Sequence, residues 1–215
     1  MSAQLAGVQV LVVGAGITGL TAAMWLARAG HDVAVIERRF GSGASSRSGG
    51  VILGDTLVGP VPEFTDCHVE LRQWIVDEWA DCELFWCGCL ELARDVSLPR
   101  DPIEWHAEGS LRMAGTIAGG VLNPSKLQQA LADAARRAGA AIVDGVDVTA
   151  LARDGSRSMV VTDRGAIAAR HVVMAVDATA RTGEFDPWSE RVITVALQTA
   201  PLPGRAVDFS RGVCR

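Results

Sequence analysis

Val8-Gln9-Val10-Leu11-Val12-Val13-Gly14-Ala15-Gly16-Ile17-Thr18-Gly19, continuing through Leu20 to Gly30 and then His31-Asp32-Val33-Ala34-Val35-Ile36-Glu37, is the stretch that decides the fold. Val8 to Val13 is an apolar run of strand length that ends at once in glycines. Leu20, Ala23, Met24, Leu26 and Ala27 recur at helical spacing and give the next segment one apolar face. Gly30 falls where a left-handed C-cap closes a helix. Val33 to Ile36 reads as a second buried strand, ending at Glu37. Strand, helix and strand in this register make a βαβ unit whose turn carries G-x-G-x-x-G.

Each residue type in that turn has a physical task. Gly14 permits the tight turn out of the strand, Gly16 lets a pyrophosphate approach the backbone, and Gly19 lets the helix pack on the strand. The free N–H groups and positive dipole end of the helix then face phosphate. Glu37 stands eighteen positions after Gly19, where a carboxylate accepts ribose hydroxyls and repels a 2′-phosphate. Dinucleotide binding follows, and NADP is disfavoured. The unit alone does not separate FAD from NAD.

The rest of the composition is that of an ordinary globular protein. The chain has 215 residues, 49% of them hydrophobic and 21% charged, enough for a sizeable core. A net charge of −5 gives no electrostatic basis for nucleic-acid binding. No apolar run reaches the roughly 18–20 residues of a membrane span. The N-terminus lacks the basic and small-residue marks of a signal peptide, so a cytoplasmic location is expected. Cys67, Cys82, Cys87, Cys89 and Cys214 are expected to be reduced there. Cys82, Cys87 and Cys89 cluster, but C-x4-C-x-C is not a zinc spacing, and no metal is expected.

The segment after Glu37 separates the two cofactors. Glu37-Arg38-Arg39-Phe40 runs into Gly41-Ser42-Gly43-Ala44-Ser45-Ser46-Arg47-Ser48-Gly49-Gly50, a small-residue loop rich in amides and hydroxyls. This string resembles the second FAD-contacting segment of the D-amino-acid-oxidase-like flavoproteins, which include glycine, sarcosine and γ-glutamylputrescine oxidases. The resemblance implies that Gly14, Gly16 and Gly19 form the phosphate turn and that Ile17 and Thr18 donate amides to the pyrophosphate of FAD. It implies that Glu37 and Arg38 hold the adenosine side. Ala44, Ser45, Ser46, Arg47, Ser48, Gly49 and Gly50 would then line the path to the isoalloxazine. Arg47 is the charged side chain most expected to act there.

Further stretches are similar to the same family. Gly119-Gly120-Val121-Leu122-Asn123-Pro124 leads into an amphipathic helix from Lys126 to Ala138, with Leu127, Ala130, Leu131 and Ala134 on one face and Gly139 as its cap. Val148 stands where family members contact adenine through the backbone. The resemblance implies that Ala175 stands beside the cofactor, in a string that reads Ala175-Val176-Asp177 where the family has a small residue or asparagine. An aspartate so placed is repelled by the pyrophosphate unless it points away or is protonated. Arg191 to Leu202 is similar to a substrate-sheet strand of the γ-glutamylputrescine-oxidase-like branch.

The expected fold class is therefore α/β. A Rossmann-like FAD-binding βαβ domain (residues 1–60 and 115–182) interleaves with an incomplete mixed or antiparallel substrate-domain sheet (61–114 and 183–215). The implied activity is oxidation of a small-molecule amine or amino acid, by hydride transfer from the substrate C–H to flavin N5. Family members are longer, so a truncated chain is expected, or one that a partner chain completes by supplying the missing substrate half. The competing reading is a non-catalytic remnant that binds FAD weakly. The family's carboxylate-holding residues come mostly from that missing region, and the chain has no tyrosine, so no catalytic residue is assigned. Trp74, Trp79 and Trp86 are expected to pack in a core or interface rather than to form a substrate wall.

Overall fold

The computed structural model describes residues 7–54, 67–93, 102–103, 111–155 and 157–177. They fall into two compact units, each formed from separate stretches of chain. The first unit opens with β1 (Val10–Val13), α1 (Ile17–Arg28), β2 (Val33–Glu37) and the single-turn α2 (Ala44–Arg47). The second holds β3 (Val51–Leu53), α3 (Cys67–Asp77), β4 (Cys89–Ala93), β5 (Pro102–Ile103), β6 (Leu111–Ile117) and β7 (Gly119–Val121). The chain then returns to the first unit with α4 (Pro124–Arg137) and β8 (Ala141–Asp144). It continues there with β9 (Val148–Asp154), β10 (Arg157–Thr162), β11 (Gly165–Ala169) and β12 (His171–Met174).

The first unit is the expected α/β body. Its parallel sheet has the order β12-β1-β2-β8, with Val13 opposite Ile36 on one side and Met174 on the other. A parallel sheet is covered on both faces, which is why β1 and β2 read as unbroken apolar runs. On one face Leu11, Val13, Ala34 and Ile36 pack with Val160, Ile167 and Ala169 of the antiparallel sheet β11-β10-β9. By strand alternation Val10 and Val12 face the other side. Helices α1 and α4 pack on each other, burying Leu20, Met24, Leu127 and Leu131. Full burial of each such side chain contributes about 1.5–3 kcal/mol. Gly30 and Gly139, at φ +87° and +105°, end α1 and α4 in the left-handed conformation expected of them.

In the second unit β3 pairs with β7 antiparallel, Val51 opposite Val121, and β4-β6-β5 forms a second antiparallel sheet. The β3–β7 pairing places Val51–Leu53 and Gly119–Val121 in this unit, although the sequence suggests boundaries near 60 and 115. Trp86 is held between rings and charge: His68 stacks on it at 5.7 Å, and the Arg72 guanidinium lies 4.3 Å from its centroid. Trp79 corrects the packing expectation. It is 92% exposed, because the chain leaves α3 there through a left-handed turn at φ +52°.

Cys67, Cys82 and Cys89 are free thiols, whereas Cys87 is disulfide-bonded, a departure from the all-reduced expectation. Burial pushes the Cys82 thiol up, as suits a small core hydrophobe. No helix among the described residues is long and apolar enough to cross a membrane. The Arg191–Leu202 segment and Cys214 lie outside the described residues.

Candidate cofactor-binding site

At the carboxyl ends of β1, β2 and β12 the first unit encloses a cavity of about 960 Å³. This is where open α/β sheets bind their ligands, and the volume lies at the upper end of the usual range for small-molecule sites, about 300–1,000 Å³. The turn between β1 and α1 makes one wall. Gly14 lies at φ +103°, and a Cβ there would strike the carbonyl of Ala175 at the end of β12. Gly19 is buried behind the turn, where a Cβ would strike the Gly14 carbonyl and meet Ala175 Cβ at 3.3 Å. Both glycines therefore serve backbone approach between elements, as the turn requires.

Gly16 also has a close neighbour within the protein. What comes close to it is a side chain of the protein itself: Ser45 Oγ lies 3.0 Å from the position a Cβ would take. The same hydroxyl accepts the Ile17 N–H at 3.1 Å. The first turn of α2 thus covers part of the α1 N-terminus, and Ile17 does not hold its amide free. Gly16, Ile17 and Thr18 all line the cavity. Helix α1 has no capping side chain on its own N-cap residue, Gly16, and no acidic residue in its first turn. That leaves the positive end of its dipole available to an anion.

Glu37 sits at the end of β2, half-buried, on the cavity wall. Its Oε2 accepts the Ala15 N–H at 2.7 Å and its Oε1 accepts the Arg39 N–H at 2.9 Å. Each carboxylate oxygen has a second lone pair, so a ribose diol can still be accepted. Arg38 is exposed beside it and also lines the cavity. Next to β2, Asp144 ends β8 and accepts the Phe40 N–H at 2.9 Å, which fixes the start of the glycine–serine loop. Val146 to Thr149, Val148 among them, complete this end of the cavity.

The glycine–serine segment is not a plain loop. Ala44 to Arg47 form one helical turn, with Ser46 Oγ donating to the carbonyl of Gly41 at 2.7 Å. Serine and glycine hold such turns through short side-chain-to-backbone bonds. Ala44, Ser45 and Ser48 line the cavity; Ser46 braces the turn. Arg47 is exposed and is not among the cavity-lining residues. Gly49 is exposed with open space around it, and Gly50 belongs to the second unit. Ser46, Arg47, Gly49 and Gly50 are thus not among the residues that line the cavity with Ala44, Ser45 and Ser48, as one turn of helix points its side chains in several directions.

Ala175 lines the cavity, as does Asp177, whose backbone is left-handed at φ +52°. A non-glycine residue tolerates that conformation best when it is asparagine or aspartate. The carboxylate adds negative charge to a wall that otherwise attracts anions. Gln128, from α4, is a lining residue that sequence periodicity passes over. It is 4% exposed, on the same helix face as Leu127 and Leu131. A single amide on the apolar face of an amphipathic helix is the signal that marks it.

The arrangement offers an anion site at a helix end, a carboxylate for hydroxyls at a strand end and a polar loop between them. A nucleoside diphosphate is the chemistry that uses all three. Comparison with known proteins agrees. The family model described as FAD dependent oxidoreductase matches residues 9–213. A probable electron transfer flavoprotein-quinone oxidoreductase, YdiS of Escherichia coli (strain K12), is 30% identical over 174 residues, covering 78% of this chain and 35% of its own length. The fold of the chain is similar to glycine oxidase from Geobacillus kaustophilus, with a TM-score of 0.60 and 23% identity, covering 79% of this chain and 55% of that one. It is also similar to L-proline dehydrogenase from P. horikoshii, with a TM-score of 0.63 and 23% identity, covering 80% and 54%. The chain spans about a third of that curated relative and about half of those two enzymes. With the family model matched over nearly its whole length and the phosphate turn intact, the chain belongs to the FAD-dependent oxidoreductase family.

Proposed function

We propose that the first unit holds FAD and that the protein serves in the oxidation of an amine or amino acid. The observation that carries the cofactor reading is one cavity lined together by Gly16 and Thr18 of α1, Glu37 of β2, Ser45 of α2 and Val148 of β9. The diphosphate belongs at the α1 N-terminus and the adenosine toward Glu37 and Val148, with the flavin end toward the glycine–serine turn. The Glu37 carboxylate, already fixed by two N–H donors, is held in place to accept the ribose. When bound, FAD supplies a two-electron acceptor. The residues of this chain bind and orient it; the groups that would hold the substrate are left unassigned. The amine or amino-acid class is supported by the fold likeness to glycine oxidase and L-proline dehydrogenase.

The substrate reading is tested by loading the purified protein with FAD and adding amines and amino acids, glycine and L-proline included, without oxygen. Loss of the oxidised-flavin absorption with a member of the panel is the expected result. A spectrum that dithionite bleaches and every amine leaves unchanged would remove the substrate class and leave the cofactor reading standing. Bleaching by a reduced electron transfer flavoprotein alone would move the function toward that of the YdiS relative.

A further inference from the structure

Helix α4 reaches the phosphate turn through one side chain. Gln128 Nε2 donates to the Ala15 carbonyl at 2.6 Å, inside a core where Ala15 is 0% exposed and Gln128 4%. On the other side of the same residue, the Ala15 N–H donates to Glu37 Oε2 at 2.7 Å. Ala15 is thus clamped from β2 and from α4. The carbonyl has no claim on it from α1, whose first intrahelical bond runs from the Leu20 N–H to the Gly16 carbonyl. The donor it needs comes from α4.

We propose that Gln128 is a positioning residue that fixes the Ala15–Gly16 peptide so that its N–H, rather than its carbonyl, faces the ligand's diphosphate. The inference rests on the dinucleotide reading of the cavity. That peptide is trans, so its C=O and N–H point to opposite sides. Holding the carbonyl against the Gln128 amide turns the Gly16 N–H away from that amide, and Gly16 and Gln128 both line the cavity. The Gly16 N–H has no hydrogen-bond partner among the described residues, so it is free to meet an anion. Without Gln128 the carbonyl is a buried acceptor without a donor. Rotation of the peptide then relieves the carbonyl and presents its partial negative charge where phosphate oxygens belong. A neutral amide suits this position, since it donates a proton without adding a charge inside the core.

Calorimetric titration of the full chain with ADP and with adenosine tests this, using wild type, Gln128→Met and Gln128→Glu. Methionine keeps the length and the helix propensity of glutamine and removes the donor; glutamate keeps the shape and sets an acceptor against an acceptor. ADP affinity is expected to fall about 10-fold in Gln128→Met, and further in Gln128→Glu, with adenosine affinity held within about 2-fold. The methionine variant decides the matter alone if the glutamate variant does not fold. Equal losses for ADP and adenosine would make Gln128 a packing residue and overturn the proposal, as would unchanged ADP binding. A wild type that binds neither ligand would overturn the dinucleotide reading, and this proposal with it.

Discussion

Gly19→Ala is expected to destabilise the protein by about 3 kcal/mol, the upper end for overpacking a close-packed site. The new methyl group would lie against the carbonyl of Gly14 and 3.3 Å from Ala175 Cβ. Neither neighbour is the free end of a flexible side chain, so relief requires α1 to move off the sheet. Such a loss is a large part of the roughly 5–15 kcal/mol that holds a domain together. Gly49→Ala is the control: that glycine is exposed with nothing within 4 Å, and its change should lie within about 0.5 kcal/mol of zero. Urea unfolding followed by circular dichroism reads both. Equal stabilities for the two variants would show that α1 does not rest on the turn as described.

Glu37→Ala should act on stability and ligand binding together. It removes the acceptor of the Ala15 N–H, which lies in a residue with no exposed surface, and an unpaired buried donor costs about 1–3 kcal/mol. It also removes the only carboxylate among the residues at the β2 end that accepts two backbone N–H groups and lines the cavity. Hydrogen bonds to a charged group are each worth about 1.5–3 kcal/mol, so adenosine and ADP affinities should fall roughly 10- to 100-fold. Adenosine and ADP should weaken alike, unlike the diphosphate-selective loss expected at Gln128. A variant that melts lower while binding adenosine normally would restrict Glu37 to a structural role.

Most of the fold was legible because its elements carry strong local signals. The apolar runs Val10–Val13 and Val33–Ile36 could only be buried parallel strands, and Gly30 and Gly139 end α1 and α4 as left-handed caps. The phosphate turn was legible for the same reason, since Gly14 and Gly19 answer to backbone contacts set by the βαβ geometry itself. What was not legible depends on three-dimensional phase. Six small residues and one arginine give no periodicity, so nothing in Ala44–Gly50 marks Ala44–Arg47 as a helical turn with Ser45 on the cavity wall and Arg47 exposed. The α4 face buries Leu127, Leu131 and Ala134 as their spacing indicates, with Ala130 half-buried, but it extends further round the helix to Gln128, Ala132 and Ala135. The pairing of β3 with β7 joins segments about seventy residues apart, a contact no local pattern records.

In the proposed function the first unit binds FAD through its adenosine diphosphate half. Calorimetric titration of the purified chain with FAD, ADP and FMN tests it most directly. FAD is expected to bind at a single site from which ADP displaces it. FMN, which brings neither adenosine to Glu37 nor a second phosphate to α1, should bind at least about 10-fold more weakly. FMN binding as tight as FAD, or bound FAD that ADP cannot displace, would contradict the account.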